Sequence, residues 1–407
     1  MGDLDEVRAR TRSWIRAHWD PDATMGHWWR LLAEAGYSMP QWPTQWQGLG
    51  YSTREAVAVR QTLAAEGVPG PPAGLGMMMA APTIFAHGTD AQKRRYLPSI
   101  LSGEANWCQL FSEPDAGSDL ASVKTSAHKV GDRWIGRGQK VWTSNGHLAD
   151  MAMLIARTNP DAPKHQGITW FAFSMDQPNV EVRPLKEMTG RSLFTEVFLN
   201  DAIAEGDAII GDVNGGWPIT VTTLAHERAS MASGIGQVGG IPGQRAGVLE
   251  HRVGDVAARL AAPRRTSGTA IAMKGKSYQL LSELARERGR AGDPCVRQLL
   301  AELYSLEELF RVTQIRGQHA LRRGLPPGPE SSTGKLALSS MTRLARDLAL
   351  ELVGADGMLV GSDAPRNGLY QEMALFSPAV SIYGGTDEIQ RNVISERILG
   401  LPRESSP

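Results

Sequence analysis

The chain has 407 residues, with 43 lysines and arginines balanced by 43 aspartates and glutamates. This length allows a large core and two or three sub-domains, and the zero net charge gives no electrostatic reason to expect nucleic acid or an anionic membrane as partner. No apolar run is long enough to predict membrane insertion, and the N-terminus lacks the apolar core of a signal peptide. Cys108 and Cys295 have no metal-ligand spacing, so we expect reduced, buried thiols, no metal site and a cytoplasmic protein.

The first region, residues 1–104, has apolar residues at helical spacing and is predicted to be an all-helical domain. Thr53 is predicted to cap a helix that reaches Glu66, with Glu55 in its first turn. A buried helix is expected over 75–86, where three consecutive methionines would fill the core. Another helix is expected to begin at Asp90.

The second region, residues 105–205, changes to alternation and short apolar runs, which predicts an antiparallel β-domain. Residues 122–130 and 133–141 are expected to form a hairpin with Gly131 and Asp132 in its turn. Further strands are predicted at 107–111, 151–156, 168–173, 180–185 and 196–199.

The third region, residues 206–407, returns to helical spacing and is predicted to be a helical bundle domain. A long helix is expected after the glycine-rich loop that ends near Trp217. Further long helices are predicted at 279–288, 294–319 and 333–353.

Two polar loops and one turn have compositions suited to ligand binding. The loops read SEPDAGSD at 112–119 and WTSNG at 142–146. Each offers small hydroxyl residues and backbone N–H groups, which suit an anionic or heteroaromatic ligand, although an ordinary β-turn has the same composition. The turn at 381–386 enters a helix for which Thr386 is the predicted N-cap, and Gly400 and Pro402 are predicted to end it.

These motifs, SEPDAGSD, GQKVWTSNG at 138–146 and SIYGGTDEIQR at 381–391, resemble those of the acyl-CoA dehydrogenase family, and the resemblance covers nearly the whole chain. It implies an α+β, mainly α fold with an N-terminal helical domain, a middle antiparallel β-domain and a C-terminal helical bundle. It also implies FAD as cofactor, an acyl-CoA substrate, an electron-transfer flavoprotein or similar acceptor, and a homodimer or homotetramer.

The catalytic base cannot stand where many members of the family carry it, because that position is Gly384. A subset that resembles the isovaleryl and long-chain enzymes supplies a glutamate followed by arginine from the first helix after the β-domain. Glu227 and Arg228 match this pair, so the resemblance gives Glu227 the base role. The pair is also readable as two neighbouring solvated charges, and His226 is expected to be structural.

The chemistry follows from the thioester, whose α-proton is weakly acidic and whose carbonyl oxygen gains charge as that proton leaves. A carboxylate in a dry pocket is a competent base, and the β-hydride needs a flavin as acceptor. By resemblance, the N–H of Gly384 and a flavin hydroxyl polarise the carbonyl. The residues that the resemblance assigns to the cofactor are Phe111, Ser112, Gly117, Ser118, Trp142, Ser144, Arg288, Glu351, Gly354, Ala355, Thr386 and Glu388. Those that it assigns to the substrate are Ser118, Arg228 and Tyr383.

Two segments depart from the family pattern. Residues 286–290, which would reach a neighbouring subunit's flavin, lack the usual Arg-x-x-Phe-Gly, and residues 351–357 replace a glutamine and paired glycines. Three alternatives therefore stay open. The chain could be a non-catalytic or complementing subunit of a hetero-oligomer with a homologous chain. It could act on a steroid-derived or carrier-bound thioester, or it could be an oxidase.

Overall fold

The computed structural model describes residues 4–233, 241–262, 267–274, 276–322 and 331–402. Within these ranges the chain forms thirteen α-helices and eight strands. It divides into two compact units. The first unit comprises Met1–Glu187 and Ser192–Pro263, and the second comprises Met188–Arg191 and Arg264–Pro407.

The first unit contains seven of the described helices and all of the described strands. The helices are α1 (Leu4–His18), α2 (Met25–Glu34), α3 (Thr53–Ala65), α4 (Ala81–His87), α5 (Asp90–Leu101), α6 (Gly216–Ser233) and α7 (Val253–Ala261). The strands are β1 (Trp107–Leu110), β2 (Ser126–Val130), β3 (Arg133–Ser144), β4 (Met151–Arg157), β5 (Ile168–Ser174), β6 (Val180–Leu185), β7 (Phe194–Glu205) and β8 (Ile209–Ile210).

Helix α3 begins at Thr53, and the residue that caps it is Ser52 rather than the predicted Thr53. Ser52 has extended backbone angles, its hydroxyl accepts from the N–H of Glu55, and the Glu55 carboxylate accepts from the N–H of Ser52 at 2.7 Å. This reciprocal capping box satisfies two N–H groups that the first turn would leave without partners. The predicted start of α5 at Asp90 is confirmed.

The predicted single helix over 75–86 is two segments. A π-helical turn spans Gly76–Ala80 and continues into α4 at Ala81. Proline lies at the start of α4, where it has no N–H to lose from the ladder. Met79, the last of the three methionines, is fully buried, and Met77 and Met78 are partly buried against the same core, as the methionine-rich composition predicts.

The strand order is β6-β7-β3-β2-β4-β5-β8, and β1 pairs with β4. The hairpin of β2 and β3 turns at Gly131, whose φ of +59° suits glycine, so this part of the prediction is confirmed. Most pairings are antiparallel, but β1 pairs with β4 in parallel from Trp107 opposite Met151. Strand β7 is longer than the predicted 196–199 because it pairs with β3 along most of its length.

Strand β3 also extends beyond its predicted end at 141. Thr143 and Ser144 pair with Thr195 and Phe194 of β7, so the first part of the predicted loop at 142–146 is strand. The register shifts between Lys140 and Thr143, and Trp142 has a φ of +59°. A β-bulge of this kind changes the direction of a side chain, and Trp142 is 60% exposed.

The second unit is a helical bundle around its own apolar core, which includes Leu281, Leu348, Tyr370 and Met373. Its described helices are α8 (Gly268–Lys274), α9 (Tyr278–Glu287), α10 (Pro294–Arg322), α11 (Ser331–Val353), α12 (Leu369–Val380) and α13 (Asp387–Val393). A π-helical turn, Ile394–Ile398, follows α13, and Gly400 then has a φ of +66°. The predicted helix end at Gly400 is therefore confirmed.

The predicted α+β, mainly α class is confirmed by this arrangement of helices and one central sheet. Of the helices in the described ranges, none has the length and apolar character needed to cross a membrane.

Candidate active site

In the loop at 112–119, the first half is hydrogen-bonded to itself, and the second half has backbone N–H groups without a partner among the described residues. The N–H of Glu113 donates to the carbonyl of Ala116, and the N–H of Ala116 donates back to Glu113. Beyond this turn, the N–H groups of Gly117 and Ser118 donate to no other atom of the described residues. Both residues are exposed, so the second half of the loop presents donors of the kind that bind anions.

The loop at 112–119 lies beside the bulged end of β3. The N–H of Val141 donates to the carbonyl of Ser112 at 2.9 Å. This bond brings Ser112 close to the bulge that exposes Trp142, and the half-buried Ser144 follows on β3. Phe111, just before the loop, is buried in the apolar core.

A buried ion pair joins the same two segments, and sequence reasoning missed it. The side chains of Glu113 and Lys140 are 6% and 0% exposed, and Nζ of Lys140 lies 2.8 Å from Oε1 of Glu113. Burial lowers the pKa of Lys140 to about 8, although Glu113 opposes this shift. Burial alone would raise the pKa of Glu113, but Lys140 and the donors around the carboxylate outweigh it and lower that pKa.

A signal for this pair was present in the sequence. Strand side chains alternate between faces, and Trp134, Gly136 and Lys140 stand at even positions of β3. All three are buried. A lysine in phase with the inward face of a strand requires a buried partner, and the nearby motif supplies Glu113.

Glu227 lies on α6, which starts after β8 and packs against α4. Its side chain is partly buried. Arg228 lies on the same helix, and its side chain is outside the described residues. The structure therefore places Glu227 on the predicted helix, in the first unit.

Two histidines lie where α4 meets α6. His87 is 3.0 Å from the hydroxyl of Thr222, while Nε2 of His226 is buried and has no hydrogen-bond partner in the described residues. Burial lowers the pKa of both histidines, and His87 lowers that of His226 further. Both imidazoles are therefore mainly neutral at pH 7, and the structural role expected for His226 stays a prediction.

The turn at 381–386 lies in the second unit and is held from several sides. Gly384 has a φ of +64°, and its carbonyl accepts from Nε2 of Gln390 at 2.8 Å. Thr386 is the N-cap of α13, as predicted, since its hydroxyl accepts from the N–H of Ile389. Burial raises the pKa of Tyr383 to about 12, so its phenol is neutral at physiological pH.

Arg343 and Lys335 stabilise the same turn. Arg343 donates to the hydroxyl of Ser381 at 2.6 Å and to the buried carboxylate of Asp387 at 2.9 Å. Lys335 donates to the carbonyl of Val380. Glu388 is exposed on the first turn of α13.

The two segments that depart from the family pattern, 286–290 and 351–357, are paired with each other. Arg288 lies 2.7 Å from Asp356, and Arg290 lies 3.1 Å from Glu351. Gly354 and Ala355 lie exposed between these acids in a 3₁₀ turn. The two segments do come together within the second unit, but Arg288 and Arg290 are already engaged by acids.

Apart from Glu227 and Arg228 on α6, the predicted site residues fall into three groups. One, in the first unit, comprises the loop at 112–119 with Phe111 and the end of β3. The second comprises the turn at 381–386 and the start of α13, and the third comprises Arg288 with the segment 351–356. The first group fits a flavin, because it combines an exposed aromatic ring, hydroxyls and N–H groups that have no partner among the described residues.

Comparison with known proteins identifies the family. Models of the N-terminal, middle and C-terminal domains of acyl-CoA dehydrogenase match residues 4–104, 108–202 and 255–399. Acyl-CoA dehydrogenase IpdE1 of Mycobacterium tuberculosis is 33% identical, and the match covers 100% of both chains. Acyl-CoA dehydrogenase FadE34 of the same organism is 36% identical over 91% of this chain and 46% of its own length.

Solved structures agree. The ChsE4-ChsE5 complex from Mycobacterium tuberculosis includes a chain with a TM-score of 0.68 and 25% identity over 99% of both chains. The Tcur3481-Tcur3483 steroid ACAD gives a TM-score of 0.71 and 24% identity over 98% of both chains, a likeness of fold. The chain belongs to the acyl-CoA dehydrogenase family. It is therefore an oxidoreductase of acyl-CoA, and the predicted family, fold and enzyme class are confirmed.

Proposed function

We propose that the chain uses FAD to dehydrogenate an acyl-CoA thioester between its α and β carbons, with Glu227 as the base. The observation that carries the base assignment is the combination of glycine at 384 with a partly buried glutamate on α6. Glycine cannot take a proton, whereas a carboxylate withdrawn from water can. The further roles of Arg228 and Tyr383 as substrate contacts are part of this proposal.

The reaction removes a proton from the α carbon and a hydride from the β carbon of the acyl group. The carboxylate of Glu227 accepts the α-proton, and the N–H of Gly384 donates to the thioester oxygen as negative charge develops there. When bound, the flavin supplies the acceptor for the β-hydrogen, which leaves with its electron pair. The product is an α,β-unsaturated thioester. An electron-transfer flavoprotein or similar acceptor then receives the two electrons.

The residues proposed to hold FAD are those that the motifs single out. In the first unit the unpaired N–H groups of Gly117 and Ser118 favour a phosphate, and the exposed Trp142 favours contact with the ring. The remaining proposed contacts are Phe111, Ser112, Ser144, Arg288, Glu351, Gly354, Ala355, Thr386 and Glu388. Cytoplasmic location and the domain limits 1–104, 105–205 and 206–407 stay predictions.

Anaerobic bleaching of the flavin tests the proposal. The purified wild type should be yellow and lose its visible absorbance when an acyl-CoA from a graded panel is added. Glu227→Gln should keep the flavin but not bleach. Glu250→Gln is the control, because Glu250 is an exposed carboxylate that follows α6 in the same unit. Equal bleaching by Glu227→Gln would show that the base is another residue.

A second candidate function is that of a complementing subunit in a hetero-oligomer. The ion pairs of Arg288 with Asp356 and of Arg290 with Glu351 favour it, because arginines engaged by acids are poorer diphosphate ligands. ChsE4-ChsE5, a structural relative, is described as a complex. A chain that is colourless alone but takes up FAD with a homologous partner would support this candidate.

The acyl group also remains to be assigned by experiment. The substrate panel should contain straight and branched acyl-CoAs, a steroid side-chain CoA thioester and a carrier-protein thioester. Bleaching by the steroid or carrier thioester alone would identify that class. Hydrogen peroxide formed in equal amount to product in air would identify an oxidase instead of a dehydrogenase.

A further inference from the structure

Glu113 and Lys140 form a buried ion pair whose hydrogen bonds extend beyond the pair itself. Nζ of Lys140 also donates to the carbonyl of Phe111 at 3.0 Å. The Glu113 carboxylate accepts from the backbone N–H of Lys124 at 2.6 Å and from that of Thr125 at 2.9 Å. The pair therefore joins three stretches of chain: 111–113, 124–125 and β3 at 140.

The joined stretches lie within the loop at 112–119 and on the segments next to it. Glu113 lies inside this loop, 124–125 follow it, and Lys140 precedes the bulge that exposes Trp142. The connection thus fixes where the loop lies relative to the bulged end of β3. It does so without using the N–H groups of Gly117 and Ser118, which remain available to a ligand.

Stability alone is a poor explanation for such a pair. Removing two charges from water costs free energy that their mutual attraction often fails to recover, and well-packed apolar residues frequently serve a fold equally well. A pair with directional bonds to three backbone groups, in contrast, defines one geometry. The position of this pair, between the two segments that carry the open donors and the exposed ring, connects that geometry with ligand binding.

We propose that Glu113 and Lys140 are positioning residues for FAD, holding the loop at 112–119 and the Trp142 bulge at the separation that the cofactor requires. This inference rests on the proposed use of FAD. Neither side chain is a catalytic residue. Both act through backbone: Lys140 through the carbonyl of Phe111, and Glu113 through the N–H groups of Lys124 and Thr125.

The geometry also predicts that the two charges cannot be exchanged. A lysine at 113 could not accept from the N–H groups of Lys124 and Thr125, and a glutamate at 140 could not donate to the carbonyl of Phe111. The double reversal Glu113→Lys with Lys140→Glu restores a pair of opposite charges only. We expect it not to restore FAD binding.

The test measures FAD affinity and thermal stability separately. Glu113→Gln and Lys140→Met are prepared with the flavin removed and then titrated with FAD at a temperature well below unfolding. The control is Phe171→Leu, a fully buried position in the sheet core whose melting temperature should also fall. We expect the dissociation constant for FAD to rise at least about tenfold in the pair variants and to change less than about twofold in the control.

Two further readouts separate positioning from general destabilisation. The visible spectrum of any flavin that binds to the pair variants should differ from that of the wild type, because the ring meets an altered loop. If Glu113→Gln or Lys140→Met fails to fold, Glu113→Asp and Lys140→Arg keep both charges and change only their reach. These variants should also weaken FAD binding.

Wild-type affinity and spectrum in folded pair variants would overturn the inference while leaving the proposed function intact. The inference would also fail if Phe171→Leu weakened FAD binding as much at an equal loss of melting temperature. A wild-type preparation that takes up no FAD, alone or with a co-purified partner, would instead overturn the proposed function and this inference with it.

Discussion

Gly385 offers a direct test of how the turn that carries Gly384 is held. Its φ is +91°, and a Cβ added to it would lie 2.6 Å from Nε2 of Gln390. Gln390 is 4% exposed, and the same nitrogen donates to the carbonyl of Gly384. Gly385→Ala should therefore strain the backbone and displace the amide that fixes Gly384.

The cost has two parts. An alanine in the left-handed region costs about 1–2 kcal/mol. Leaving a buried polar group without its partner costs about 1–3 kcal/mol. Gly385→Ala should therefore destabilise the second unit by about 2–5 kcal/mol. Gly400→Ala is the matched control, since its φ is +66° and its Cβ would meet no atom within 4 Å, so only the backbone cost of about 1–2 kcal/mol applies.

A double-mutant cycle isolates the contact between the two residues. Gln390→Ala loses the hydrogen bond to Gly384 but also clears the space that the added methyl group of Gly385→Ala would need. The double variant therefore loses the bond once, whereas the two single variants lose it twice. It should be more stable than the sum of the singles predicts by about 1–3 kcal/mol.

The assay must report on the second unit alone, because a chain with two units need not unfold in one step. All 11 tryptophans lie at or before Trp217, in the first unit, so their fluorescence is the control signal. Amide hydrogen exchange of peptides from 369–402 reports the local free energy of opening. The reasoning would be refuted if the free-energy costs of Gly385→Ala and Gln390→Ala simply added in the double variant. It would also be refuted if Gly400→Ala cost as much as Gly385→Ala.

Three further predictions follow from burial and exposure. Cys108 is buried, as expected, and burial raises the pKa of its thiol, whereas Cys295 is exposed, contrary to the expectation of two buried thiols. A thiol reagent should therefore modify one cysteine in the native protein and two in urea. Two fast reactions in the native state would contradict this. Burial lowers the pKa of His226 and His87 below 6.5, so the unfolded chain binds more protons and stability should fall as the pH drops below about 6.5. His226→Gln should reduce the loss of melting temperature as the pH falls. An unchanged slope of melting temperature against pH would show that His226 does not contribute to this loss. Leu309 is 65% exposed on α10. If this face of α10 joins subunits, Leu309→Asp should lower the molecular mass measured by light scattering. An unchanged mass would place the interface elsewhere.

Local chemistry made the helix ends and the hairpin predictable. Thr386 could be identified because a hydroxyl residue before a helix satisfies an N–H that the first turn leaves unpaired. Gly131 could be identified because a tight hairpin needs a residue that tolerates positive φ. At the start of α3 the same chemistry led to the wrong residue: Thr53 was the predicted cap, whereas the backbone angles and the hydroxyl bond make Ser52 the cap.

Contacts between distant segments were not predictable in the same way. The parallel pairing of β1 with β4 depends on the path of the whole sheet, and no residue in Trp107–Leu110 specifies it. The bulge at Trp142 depends on the register between β3 and β7, which alternation alone does not fix. Lys140 was overlooked because lysine is seldom buried, although its phase within β3 indicated an inward position.

The candidate binding residues of the first unit differ in kind from those of the second, and this difference bears on what the chain can do alone. In the first unit, the donors of Gly117 and Ser118 have no partner in the part of the chain that the structure describes, while a buried ion pair fixes the loop that carries them. In the second unit, Arg288 and Arg290 already bind the chain's own carboxylates. A diphosphate would have to displace these acids, whereas the open loop needs no such exchange. On the proposal that the chain binds FAD, the loops of the first unit need no partner chain, and the source of the diphosphate contacts is the property that would separate a homo-oligomer from a hetero-oligomer.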